Sequence, residues 1–155
     1  MTKFHYQQFG RTIRPETNEG MKQKLTYQQL IRTVQQYIKK KGLLFPGETV
    51  VVAVSGGVDS MVMLDLLVSL QTQLKLKIVV AHVNYQLRGN ASNNDELFVK
   101  KAAAQYGLPF YNKRSETKKI AATKKQSLQE TARETRYSFF EKVKQTVKAD
   151  AIATA

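Results

Sequence analysis

Val50-Val51-Val52-Ala53-Val54-Ser55-Gly56-Gly57-Val58-Asp59-Ser60 is the stretch from which the rest of the chain can be placed. Val50 to Val54 is a short, apolar, mostly β-branched run, the pattern of a strand buried on both faces of a parallel sheet. Ser55-Gly56-Gly57 interrupts it, and Ser60-Met61-Val62-Met63-Leu64-Asp65-Leu66-Leu67 reads as a helix. The order strand, glycine turn, helix has chemical content. The first N–H groups of a helix lack intrahelical partners, and the helix dipole adds positive charge at the same end. Glycines let the backbone approach a ligand with no Cβ in the way. Such a turn suits an anion, phosphate above all. Ser55 and Ser60 add hydroxyl donors, and Asp59 is placed to hold Mg²⁺ beside a polyphosphate.

The bulk properties narrow the class. A chain of 155 residues, 42% of them hydrophobic, is long enough for one domain with a real core. The absence of cysteine excludes disulfides, thiolate metal sites and persulfide chemistry within this sequence. No apolar run approaches the roughly 20 residues a membrane-spanning helix needs, so no membrane partner is expected. The N-terminus lacks the apolar core of a secretory signal, and the expected compartment is the cytoplasm. A net charge of +13 is large for a small domain and favours a polyanionic partner such as nucleic acid over a merely soluble surface.

Working outward, residues 1–24 are polar and mixed, and read as a poorly ordered leader ahead of a domain over 25–155. Met21 is an alternative start, and His5 carries no functional expectation. Thr26-Tyr27-Gln28-Gln29 resembles a capping box, and Leu30, Ile31, Val34 and Ile38 recur at helical spacing as far as Gly42. This gives a helix over about 26–41. Lys77 to Val83 is a second buried strand, joined to the first by a helical crossover and therefore parallel to it. Ligands of open parallel sheets lie beyond the carboxyl ends of strands. The residues after this strand, His82-Val83-Asn84-Tyr85-Gln86-Leu87-Arg88-Gly89, are candidates by position. Ser92 is expected to cap the next helix, which runs to Gly107, and Leu108-Pro109-Phe110-Tyr111 is a short third strand. Lys113, Arg114, Lys118, Lys119, Lys124 and Lys125 make 113–125 strongly basic, either a phosphate-backbone patch or a solvated face.

Ser127-Leu128-Gln129-Glu130 is a second capping box, opening a helix that runs to about Lys148. Its expected core stripe is Leu128, Ala132, Phe139 and Val143. Arg136 lies at the edge of that stripe, with Arg133 one turn back. A pair so placed suits a phosphate, or pairs with Glu130, Glu134 or Glu141 on the surface. Asp150 to Ala155 reads as a fourth strand, after which the chain looks cut rather than finished. The fold class is α/β, an open parallel sheet with helices on both faces.

The turn Ser55-Gly56-Gly57-Val58-Asp59-Ser60 matches neither the Walker A loop nor G-x-G-x-x-G. It resembles the pyrophosphate loop of the N-type ATP pyrophosphatases, which split ATP between the α- and β-phosphates and transfer AMP to a substrate oxygen. Three further segments make the likeness specific: Ala81 to Gly89; Glu130-Thr131-Ala132-Arg133-Glu134-Thr135-Arg136-Tyr137; and Ile152-Ala153-Thr154-Ala155. Together, over about Lys24 to Ala155, they resemble the N-terminal domain of the tRNA(Ile)-lysidine synthetases.

That resemblance implies ATP and Mg²⁺ as cofactors, and a tRNA(Ile) with a CAU anticodon and L-lysine as partners. It implies nucleotide contacts at Ala53, Ser55, Gly56, Gly57, Val58, Asp59, Ser60, His82, Asn84 and Arg88. It gives metal binding to Asp59, and catalytic roles to Asp59, Arg133 and Arg136, which raises both arginines above the surface reading. The family has His where this chain has Tyr85, which puts an acid–base role there in doubt. The family also continues with a His-His-x-Asp-Asp segment and tRNA-binding domains, so a chain that stops at Ala155 is expected to bind ATP weakly and turn nothing over. Two other readings stand beside this one: a non-catalytic ATP- or RNA-binding fragment, and a tRNA thiolation enzyme of the same superfamily, against which the lack of cysteine argues. Self-association, for example as a homodimer, is left open.

Overall fold

The computed structural model describes residues 26–155; the leader expected over 1–24, with His5 and Met21, lies outside them. The elements are α1 (Tyr27–Lys41), β1 (Thr49–Ala53), α2 (Val58–Leu74), β2 (Lys77–Asn84), α3 (Asn90–Gln105), β3 (Phe110–Arg114), α4 (Thr117–Lys124), α5 (Leu128–Val147) and β4 (Ala151–Ala153). α1 begins where its capping box predicts. Thr26 Oγ1 accepts from Gln29 N–H at 3.2 Å, and Thr26 N–H donates to Gln29 Oε1 at 2.7 Å. It ends on Gly42 in the left-handed region, as a C-terminal glycine should.

The sheet has the order β3-β2-β1-β4 and every pairing is parallel. β1 is central, with Val50 to Ala53 opposite Ile78 to Ala81 on one side and Val50 to Val52 opposite Ala151 to Ala153 on the other. Its residues are buried on both faces, which is why the sequence shows an unbroken apolar run instead of alternation. Val50, Val52, Val54, Ile78 and Val80 pack with Ile31 and Ile38 of α1, Leu64 and Leu70 of α2, and Val99 and Ala103 of α3. Val51, Ala53, Val79, Ala81 and Val83 pack with Phe140 and Val143 of α5. The strand order reverses at β1: the chain moves from β1 to β2 to β3, then crosses back to place β4 on the other flank. The crevice beyond the carboxyl ends of β1 and β4 is therefore the position where open α/β sheets bind ligands.

Four expectations are corrected. α2 starts at Val58, not Ser60, so the glycine turn runs straight into the helix. Ser92 is not the cap of α3. The helix starts at Asn90 behind Gly89, and Ser92, buried in the first turn, accepts from the Arg88 N–H instead. β3 lies later than expected, at Phe110–Arg114, because Pro109 has no N–H for a ladder and contributes only its carbonyl, to Val80 N–H. The buried residues of α5 are Thr131, Phe140 and Val143, while Leu128, in the first turn, is 43% exposed. The capping serine does sit at Ser127, its Oγ accepting from Glu130 N–H at 3.1 Å, but Glu130 returns no bond, so the expected capping box is only half formed.

Candidate phosphate-binding site

The turn after β1 holds itself together. Ser60, 4% exposed, donates from Oγ to the Gly57 carbonyl at 2.9 Å and accepts from Ser55 N–H at 3.1 Å. With the Ser60 proton so used, the Ser55 hydroxyl donates to Ser60 Oγ at 3.0 Å, and its own oxygen accepts Gly57 N–H at 3.3 Å. Both hydroxyls brace the turn, where the sequence reading made them ligand donors. Gly57 caps α2 with no side-chain bond, so the N–H groups of Val58, Asp59 and Ser60 form an open helix terminus. Val58 and Asp59 are exposed there.

Gly56 is required twice. Its φ is +92°, and a Cβ would come within 3.3 Å of Asp95 Cβ on α3. Gly57 has an ordinary φ of −73°. Ala53, at the end of β1, is buried among the residues that face α5.

His82 and Asn84 lie at the carboxyl end of β2. His82 is 2% exposed, and its Nδ1 lies 2.7 Å from the Val54 carbonyl, the last before the turn. Asn84, also 2% exposed, has its amide fully engaged: Nδ2 donates to Asn93 Oδ1 and Glu96 Oε2, and Oδ1 accepts Gln86 N–H. Both side chains are buried and bonded within the protein. Arg88 is exposed and reaches Asp95 at 2.6 Å, which ties it to the residue packed on Gly56.

The sequence reading missed Asp95 and Glu96. Glu96, buried on α3, accepts from Asn84, Asn112 and the Arg114 guanidinium. Those bonds, the arginine's above all, hold its carboxyl below the usual range against the opposing effect of burial. An adjacent acidic pair in so basic a chain was the available signal. Arg114 is thereby withdrawn from the basic stretch to hold β3 against α3.

Across the sheet, the surface reading of the α5 arginines does not hold as written. Glu134 is taken by Lys124 at 2.6 Å and by Gln126. Among the described residues no carboxylate lies within ion-pair distance of Arg133 or Arg136. Both guanidiniums instead lie against the ring of Tyr137, at 5.6 and 5.3 Å from its centroid. Arg136 also acts electrostatically on Tyr85, just past β2. Burial raises the Tyr85 phenol above its ordinary value despite that arginine, so it stays protonated.

Among the described residues no group of three or more His, Cys, Asp and Glu side chains could hold a metal ion by itself, and no helix is long and apolar enough to cross a membrane. An apolar groove of about 620 Å³ runs between α1, α2 and β4, lined by Val34, Tyr37, Met63, Leu67 and Ile152, and reaches the site at Asp59.

Comparison with known proteins accords with this arrangement. The sequence profile of the PP-loop domain matches residues 26–155. The chain is 42% identical over 126 residues to the tRNA(Ile)-lysidine synthase of Geobacter sulfurreducens, covering 81% of this chain and 26% of that protein. It is 42% identical over 126 residues to that of Clostridium acetobutylicum, covering 81% and 27%. Against that of Chlorobaculum tepidum the figures are 44% over 101 residues, covering 65% and 30%. The chain thus spans about a quarter to a third of the length of these relatives. In structure it is similar to the U34-tRNA thiolase NcsA from Methanococcus maripaludis, with a TM-score of 0.64 at 18% identity over 81% of this chain and 45% of that one, a likeness of fold. A glycine turn feeding an open helix terminus at the switch point of a parallel sheet, and a family profile that starts at Thr26 and runs to Ala155, lead to one assignment: the chain belongs to the PP-loop domain family.

Proposed function

We propose that this chain is the ATP-binding portion of a tRNA(Ile)-lysidine synthetase, a cytoplasmic ligase that joins L-lysine to the wobble cytidine of a tRNA(Ile) with a CAU anticodon. The observation that carries the reading is the self-braced turn 55–60, which leaves the N–H groups of Val58, Asp59 and Ser60 open. The kinship with lysidine synthases supplies the substrates.

In this reading the pyrophosphate part of ATP lies on the α2 terminus, where uncapped donors and the helix dipole favour its charge. The 2-keto oxygen of the cytidine attacks the α-phosphorus, the bond to the bridging oxygen breaks, and pyrophosphate leaves. Arg133 and Arg136 offset negative charge as it builds on the transferring group. An amino group of lysine then attacks C2 and gives up a proton, and AMP departs with the C2 oxygen. Mg²⁺ neutralises phosphate charge when bound. It is commonly held by one or two carboxylates together with substrate phosphates, so a single exposed Asp59 beside the open terminus fits it. Tyr85, held protonated, serves as a hydrogen-bond donor and not as a base. The exposed cations Lys113, Lys118 and Lys125 form the surface for the RNA backbone. The α2-terminus reading predicts saturable Mg-ATP binding in calorimetry, lost in an Asp59→Ala, Gly57→Val double variant. A folded parent with no saturable binding, or a double variant that binds as the parent does, contradicts it.

A further inference from the structure

We infer that His82 is a positioning residue whose Nδ1–H fixes the Val54 carbonyl, and with it the start of the phosphate turn. The inference rests on the reading of that turn as an ATP site. The backbone ladder between β1 and β2 makes its last bond from Val54 N–H to the Ala81 carbonyl at 2.9 Å. Among the described residues no backbone N–H takes the next carbonyl, that of Val54. The imidazole does so, at 2.7 Å, one residue before Ser55. A side chain from β2 thus replaces the ladder bond at the point where the chain must leave the sheet and form the turn.

The other ring nitrogen shows what this arrangement is for. A carbonyl only accepts, so Nδ1 carries a proton. Nε2 is buried and has no hydrogen-bond partner among the described residues. A residue 2% exposed with an orphaned ring nitrogen is a poor choice for stability alone. An apolar side chain of similar size would remove that orphaned nitrogen but leave the buried Val54 carbonyl without a donor. It would also free the Val54 carbonyl to swing, and the turn has little slack: Gly56 is wedged against Asp95, and the Ser55 and Ser60 hydroxyls are mutually bonded. His82 is therefore retained for what Nδ1 holds, and touches no ligand itself.

The two amide analogues separate the two nitrogens. Asn places its Nδ2–H where His has Nδ1–H; Gln places its amide nearer Nε2; Leu offers neither. The chain with His82→Asn is expected to keep Mg-ATP affinity within about threefold of the parent, while His82→Gln and His82→Leu lose tenfold or more. Fast amide exchange at Gly56 and Gly57 in the Gln and Leu variants, but not in the Asn variant, is the ligand-free readout. The ring ¹⁵N shifts of the parent should show the Nδ1–H tautomer. If Asn and Gln weaken ATP equally, if Gln alone is tolerated, or if the ring is the Nε2–H tautomer, the inference is wrong. Melting temperature and affinity falling together in all three variants would also overturn it, since a structural histidine behaves that way. A parent that binds no Mg-ATP sinks the ATP reading instead, and the exchange and tautomer measurements still decide the role of His82.

Discussion

At the scale of single residues, glycines and acids that look alike in sequence hold different places in the site. Gly56 needs its positive φ and its missing Cβ; Gly57 has neither need to the same degree, since a Cβ there meets Ser55 Oγ at 3.4 Å. Gly56→Ala is therefore expected to weaken Mg-ATP binding by more than tenfold and to destabilise the fold by about 1–3 kcal/mol, whereas Gly57→Ala is much milder; calorimetry and thermal melts on the pair check this. Glu96 gives a pH prediction. Its carboxyl is held below its ordinary value of 4.5, chiefly by Arg114. A group whose folded value is lowered contributes stability that is fully present above the unfolded value and is lost as pH falls through the folded one. Stability should hold down to the ordinary carboxylate range and then fall below it, and Glu96→Gln should flatten that limb of the curve in acid titration of the melting temperature. An unchanged acid limb in the variant would contradict the assignment. The partners of Glu96 were not legible beforehand, because they come from β2 and β3, and spacing along a sequence does not report contacts between elements.

At the scale of elements, what the sequence conveyed depended on whether the signal was local. The capping box at Thr26, the glycine stop at Gly42 and the Ser127 cap are properties of neighbouring residues, and they stand where local chemistry put them. The core face of α5 is not local: it depends on where the helix lies over the sheet. Thr131, Phe140 and Val143 are buried and Leu128 is not, although Leu128 and Thr131 share the first turn of α5. Phe140→Ala should thus cost about 3–5 kcal/mol, and Leu128→Ala well under 1 kcal/mol as a surface change, in denaturant titrations. Equal losses would mean that the helix is rotated from the position described. Ser127→Ala should cost about 1 kcal/mol through the loss of the cap. The shift of β3 past Pro109 was visible in principle, since proline cannot donate to a ladder. The role of Arg114 was not, because its partner Glu96 is on α3.

At the scale of the whole molecule, the strand order explains how so short a chain presents a site. β1 lies between β2 and β4, so the turn leaves the sheet at its switch point, with α2 behind it and the α5 arginines on the opposite face. The parallel α/β class was readable from two apolar runs with a helix-length spacer, and the family likeness was readable from four short segments. Among the described residues β4, three residues long, is an edge strand with an apolar groove beside it. Exposed edges favour pairing between chains, so association that rises with concentration is expected in sedimentation; a sharp monomer at high concentration would contradict it. The net charge predicts RNA binding that weakens steeply with salt.

The most direct test of the central claim is a titration of the ¹⁵N-labelled chain with Mg-ATP, followed at backbone amides. The account predicts saturable shifts concentrated at Gly56 to Ser60, with smaller ones at the side chains of Arg133 and Arg136. Shifts confined to the groove around Val34, Tyr37 and Ile152, or none at the turn, would show that the phosphate site is not where this fold places it.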